Sequence, residues 1–230
     1  MPKNDFLCKQ LGENNPPLYT EQVINANFVW IGVLFALLGS GASSFQVLRS
    51  HHRANLVTWG LWTVIPIIAF VAEITQGVGV LSFATLIVGL GPAAIFFAEL
   101  ARGKGDFHLQ LLDILCLGLS GTAILLWLIL GKGDVAILVS ILADFLAAIP
   151  TGLKIWHNPR GESYWVYLGS LVNSCIALVV VSAWGIAQAG FPLCILVTAT
   201  LLLGEGFVRR IFRAEQTIGT AAIGVKELAE

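Results

Sequence analysis

Asp144 stands at the centre of an apolar run, 135–154, that is long enough to cross a bilayer. A carboxylate at helix mid-depth costs about 2.5–3.5 kcal/mol on insertion scales, so such a residue is expected to face protein or water rather than lipid. Helical spacing sets Ser140, Asp144, Ala148 and Thr151 on one face. Burial disfavours the ionised form of a carboxyl, and an acid so placed can take up a proton from one side of a membrane and release it to the other. A second pattern lies in 163–186, where Ser163, Tyr167, Ser170 and Ser174 recur at helical spacing with Asn173 beside them. The Asn173 amide offers both donor and acceptor, which suits a hydroxyl-bearing or zwitterionic solute. The competing reading is that these small polar residues hold helices together. Pro66, Pro92 and Pro150 interrupt three apolar runs, and each removes a helical N–H; they are the expected hinges.

The elements that must position these residues follow from composition. The chain is 57% hydrophobic and 12% charged, with a mean hydropathy of +0.83, far from soluble usage. Charges are absent between Glu21 and Arg49, between Arg53 and Glu73, between Glu73 and Glu99, and between Glu162 and Glu205. A helix needs roughly 20 apolar residues to cross a hydrocarbon core about 30 Å thick. Seven segments qualify: 24–48, 55–73, 78–99, 108–130, 135–154, 163–186 and 190–210. The fold class expected is an all-α membrane protein of seven transmembrane helices. Glu73, Glu99 and Glu205 fall at or near span ends, where solvation is expected, and Asp113 falls within reach of an interface. The four cysteines show no paired spacing, which speaks against a disulfide framework or a structural zinc site.

Lys and Arg set the orientation. Counting segments outside the spans from the N-terminus, the odd ones hold Lys3, Lys9 and Lys132. The even ones hold Arg49, Arg53, Arg102, Lys104, Lys154, Arg160, Arg209, Arg210, Arg213 and Lys226. The positive-inside rule then places the N-terminus outside and the C-terminus in the cytoplasm of a multi-pass protein of the plasma (inner) membrane. Trp59, Trp62, Trp156 and Trp165 fall at inner span ends, and Trp30, Trp127 and Trp184 at outer ones, so most are expected in interfacial belts. Residues 1–23 read as an external polar tail without a removable signal, and 213–230 as a short amphipathic or frayed cytoplasmic tail.

Two parts of the chain resemble each other. Residues 44–62 lie over 149–167 without a gap, pairing Leu48 with Leu153, His52 with His157, Arg49 with Lys154, Thr58 with Ser163, Trp59 with Tyr164 and Trp62 with Tyr167. If the first span matches the fifth, the second matches the sixth and the third the seventh, leaving the fourth over. This predicts two parallel three-helix bundles, 24–100 and 134–212, joined by a linker helix in 101–133. On the matched faces, Gly39, Ser43 and Gln46 stand against Asp144, Ala148 and Thr151. Near the inner end of the first helix of each unit the chain carries Phe45-Gln46 and Pro150-Thr151, each followed by a short basic loop. In this the pattern resembles the PQ-loop superfamily, whose signature is a Pro-Gln pair at that place, and within it the seven-helix SWEET transporters. It looks most like uncharacterised prokaryotic members of that superfamily. The resemblance implies a 3+1+3 arrangement and a hinge at Pro150.

The function expected is a secondary carrier or facilitator for a small polar solute, working by alternating access between the repeats and proton-linked through Asp144. Asp144, Asn173, Ser170, Ser174, Ser43, Gln46 and Thr151 are its expected solute-binding residues. The alternative on the same scaffold is a non-transporting membrane receptor or assembly factor, with Arg209, Arg210 and Arg213 as docking residues. An enzyme is not expected. His51, His52, His108 and His157 fall on the basic side, where loop histidines are ordinarily interface groups, and no metal or other cofactor is implied. The expected partners are the solute, protons, the lipid bilayer and further copies of the chain; the net charge of −1 gives no hint of nucleic acid.

Overall fold

A computed structural model describes residues 25–49, 56–103, 111–159 and 162–227. Among them there is no strand. The elements are α1 (Val29–Arg49), α2 (Leu56–Thr75), α3 (Phe83–Arg102), α4 (Leu111–Leu130), α5 (Gly133–His157), α6 (Trp165–Val180) and α7 (Phe191–Glu227). Short 3-10 turns, Ala26–Phe28 and Gly79–Ser82, lead into α1 and α3. Six helical stretches are long and apolar enough to cross a membrane, and α6 is a seventh, shorter apolar helix of 16 residues. The chain is an all-α, multi-pass membrane protein by these criteria. Its outer surface agrees: Leu38, Phe97, Leu128, Ile129 and Val179 all project outward with no protein against them, an arrangement tolerated in lipid and not in water.

Glycine marks the stops. Gly103 ends α3 in the left-handed region, φ +60°, where its N–H donates to the Leu100 carbonyl. Gly77 and Gly79, both at positive φ, make the tight turn between α2 and α3. A side chain at any of these three would strain the backbone. Pro66, Pro92 and Pro150 lie inside continuous helices, α2, α3 and α5.

Packing is pairwise and ordered. α3 packs against both α1 and α2, and α7 against both α5 and α6. Two further contacts join these groups, α1 with α6 and α2 with α5. α4 lies at the side, against α5 and to a lesser extent α2. The α1–α6 seam is the closest approach: a Cβ on Gly39 would collide with the backbone of Trp165 and Gly169, and one on Gly32 with Asn173. These pairings run in opposite directions along the two helices, so α1 and α6 are antiparallel.

Two boundaries differ from the sequence expectation. The sixth span was expected to reach residue 186, but α6 stops at Val180 and leaves helical geometry at Val181. The Gln188 side chain explains the break: its Oε1 accepts from the Ser182 N–H, the Ser182 hydroxyl and the Ala183 N–H. Those groups are thereby satisfied outside a helix, and a π-helical turn, Ile186–Gly190, then feeds α7. At the other end, α7 continues as helix to Glu227, well past the expected limit of 210. The N-terminal tail and the basic loop residues Arg53, Lys104, His51, His52, His108 and Arg160 lie outside the described residues.

Candidate functional site

Asp144 occupies the middle of α5 and is 2% exposed. Its Oδ2 has no hydrogen-bond partner among the described residues. It lines a cavity of about 40 Å³ between five helices. On one side α2 contributes Trp59 and Trp62, and α3 contributes Val88 and Pro92. On the other, α6 contributes Tyr167 and Ser170, and α7 contributes Ile195 and Thr198. Asp144 is the one charged type in this lining.

Three aromatic rings form a corner of the cavity. Trp59 and Trp62 meet edge to face with centroids 5.4 Å apart, and Trp62 meets Tyr167 in the same way at 6.1 Å. The Trp62 indole N–H is buried and unpaired. From here a chain of contacts runs to the basic end of the bundle. The Tyr167 hydroxyl donates to Glu162 Oε1 at 3.3 Å, and Glu162 Oε2 pairs with Lys154 at 2.7 Å. Beyond it, Tyr164 packs on Tyr167 and lies under the Arg210 guanidinium, while Arg209 stacks on Trp156. Two thiols brace α5 beside the acid: Cys116 donates to the Ala143 carbonyl and Cys194 to the Ile141 carbonyl.

The remaining expected site residues are dispersed. Asn173 does not meet Asp144; its amide donates to the Ala84 carbonyl of α3 at 2.9 Å and its side chain lies against Gly32. With Ser174 it lines a separate, tightly filled crevice, which shares only Val88 and Ile195 with the Asp144 cavity. Ser43 is buried in the α1–α6 seam, where it bonds Ser163 and accepts the Val166 N–H, satisfying an otherwise orphaned amide at the start of α6. Gln46 is exposed on the last turn of α1, away from the cavity. Thr151 is buried but lies about two turns beyond Asp144, outside the cavity lining. Of the three prolines, Pro92 lines the cavity, Pro66 is buried beneath it and Pro150 is half-buried nearer the basic end. The stripe along α6 therefore divides: Ser163 bonds Ser43 just before the helix, Tyr167 and Ser170 face the cavity, and Ser174 packs.

Three acids expected at solvated or interfacial positions are enclosed. Glu73 is 1% exposed and accepts from the Thr85 hydroxyl at 2.9 Å. Glu99 is equally buried, beside Arg102, whose guanidinium also reaches the Val47 carbonyl. Asp113 lies buried between α4 and its neighbours. Trp59 and Trp62, expected in a belt, are core residues, whereas Trp30, Trp156, Trp165 and Trp184 are exposed. Among the described residues no three His, Cys, Asp or Glu gather as metal ligands.

Comparison with protein families, curated proteins and solved structures returns no match. Trp59, Trp62, Tyr167 and Thr198 are the lining residues that sequence reasoning did not assign to the cavity. One signal pointed their way: Trp59 and Trp62 are three residues apart on one helical face and pair in the internal repeat with Tyr164 and Tyr167.

Proposed function

We propose that the chain is a secondary carrier or facilitator for a small polar solute, built as two parallel three-helix repeats with α4 as the linker. The contact order favours this arrangement. Exchanging α1, α2 and α3 for α5, α6 and α7 turns the α1–α3 and α2–α3 contacts into α5–α7 and α6–α7, and turns α1–α6 into α5–α2. Every one of these contacts is present, as a two-fold relation along the membrane normal requires. The observation that carries the reading is the position of Asp144, an unpaired carboxylate in a small cavity between the two groups of helices. An intramembrane acid facing protein marks a solute or proton path.

In this mechanism Asp144 alternates between protonated and occupied states while the repeats rock about the α1–α6 and α2–α5 seams. A cavity of about 40 Å³ holds about three water-sized groups, so the site is small in the conformation described. Rocking that parts Trp62 from Tyr167 would open the cavity toward the basic, cytoplasmic end. The test is uptake by proteoliposomes under an imposed pH gradient, across a panel of small polar solutes. Wild-type protein is expected to accumulate at least one solute, and Asp144→Asn to lose the response to the gradient by tenfold or more. Absence of uptake across the panel, or an unchanged pH response in Asp144→Asn, removes the carrier reading.

A further inference from the structure

The Asp144 cavity has a chemical bias. Its lining holds one acid, three aromatic side chains, two aliphatic hydroxyls, Ser170 and Thr198, and no base. Lys154 is the nearest cation along α5, ten residues or about 15 Å away, and it is paired with Glu162. An ionised carboxylate buried without a countercharge is strongly disfavoured, so its occupant must bring positive charge, either as a bound proton or as a cation. Aromatic rings enclosing a cation add an attraction that a neutral solute does not receive, strongest for indole. A ligand carboxylate or phosphate would meet Asp144 with nothing to neutralise it.

We infer that this cavity binds a small organic ammonium ion, its charge on the Asp144 carboxylate and its body against Trp59, Trp62 and Tyr167. This deepens the carrier reading by naming the class of solute, although binding itself does not depend on transport. The space of about 40 Å³ sets the size: one or a few carbons in the conformation described. Proton and ammonium ion compete for one carboxylate, so a carrier built on this site exchanges one for the other.

Competition fixes the sign of the pH dependence. Raising pH strips the proton from Asp144 and strengthens ammonium binding, by up to about tenfold per pH unit while the carboxyl is mainly protonated. The other ionisable side chains described on the surrounding helices are Glu73 on α2, Glu99 and Arg102 on α3, Asp113 and Cys116 on α4, Asp134, Lys154 and His157 on α5, Tyr167 and Cys175 on α6, and Cys194, Glu205, Arg209 and Arg210 on α7. None of the bases among them, Arg102, Lys154, His157, Arg209 and Arg210, lines the cavity.

The test is equilibrium binding of radiolabelled methylammonium to the purified full-length protein in detergent between pH 6 and 8. Dimethylammonium serves as competitor, and formamide, acetate and glucose as neutral or anionic controls. Saturable binding that strengthens with pH is expected, displaced by dimethylammonium and not by the controls. Asp144→Asn should weaken it at least tenfold. Trp62→Phe keeps a ring in place and guards against misfolding of the first variant; it should weaken binding about two- to fivefold. No saturable binding by wild type, equal binding by Asp144→Asn, or displacement by glucose would overturn the inference. Binding of methylammonium without vesicle uptake of any solute would sustain the site and remove the carrier. Uptake of a neutral solute without methylammonium binding would sustain the carrier and remove the ammonium ion.

Discussion

Buried polar atoms in this protein are of two kinds. Some are spent on structure: Asn173 on the Ala84 carbonyl, Ser43 on the α6 amide, and Glu73 on Thr85. Others have no partner, and three of these, Oδ2 of Asp144, the Trp62 indole N–H and the Thr198 hydroxyl, belong to residues of one cavity. The first kind should be felt in stability. Thr85→Val leaves the Glu73 carboxyl without its hydroxyl donor and is expected to cost about 1–3 kcal/mol. Thermal unfolding in detergent would show it, with Thr200→Val as the control: the Thr200 hydroxyl is exposed and bonds only its own helix, so that change should be close to neutral. A Thr85→Val melt equal to wild type would make the Glu73 contact energetically idle. Sequence made Asp144 legible, because an acid in the middle of an uncharged run is conspicuous without any partner. It did not separate Glu73 from a solvated span-end acid. That distinction rests on Thr85, reached only when the Gly77–Gly79 turn folds α3 back on α2. Trp59 and Trp62 misled for a related reason: beside a basic loop they read as belt residues, while Tyr167, which covers them, is more than a hundred residues away.

Helix seams carry the next level. α1 meets α6 through Gly32, Gly39 and Gly169, and backbones approach there as only small residues allow. Gly39 and Gly41 make an internal comparison, two residues apart on one helix. A Cβ at Gly39 would strike the Trp165 carbonyl, whereas one at Gly41 meets nothing within 4 Å. Gly39→Ala is therefore expected to destabilise by about 1–3 kcal/mol or more through overpacking, and Gly41→Ala to leave stability unchanged or raise it slightly. Melting temperatures of the two variants decide the matter, and equal values would mean the seam is looser than described. The spans themselves were plain in the sequence, since uncharged runs of about 20 residues fix a helix without reference to its neighbours. The end of α6 was not. Val181 is apolar and continues the run, and only the side chain of Gln188, folding back over Ser182 and Ala183, shows why the helix stops.

At the scale of the whole molecule the shortness of α6 becomes a question of topology. Sixteen residues rise about 24 Å as a helix, less than a hydrocarbon core of about 30 Å. Were α6 not to cross, the chain would pass the membrane six times and both termini would lie on one side. The packing argues for a seventh crossing. At one end of α6 Tyr164 lies against Gly206 of α7, and at the other Ser174 shares its crevice with Phe191, so α6 accompanies α7 along most of its membrane depth. It accompanies α1 likewise, from Gly39 to Gly32. Non-helical residues 181–185 extend the path at up to about 3.3 Å each, more than the missing rise. Lys and Arg fall in line: with seven crossings ten of the 13 gather on one side, and with six the Arg209–Arg210 end would move away from Arg49 and Arg102. The two topologies separate cleanly by labelling. In a variant whose remaining cysteines are replaced by Ser, Cys8 should react with a membrane-impermeant maleimide in intact cells. A single cysteine placed at Arg210 should react only after the membrane is opened. Reaction of both from the same side would mean that α6 turns back without crossing, and the pairing of α2 with α6 and α3 with α7 would lose its parallel sense.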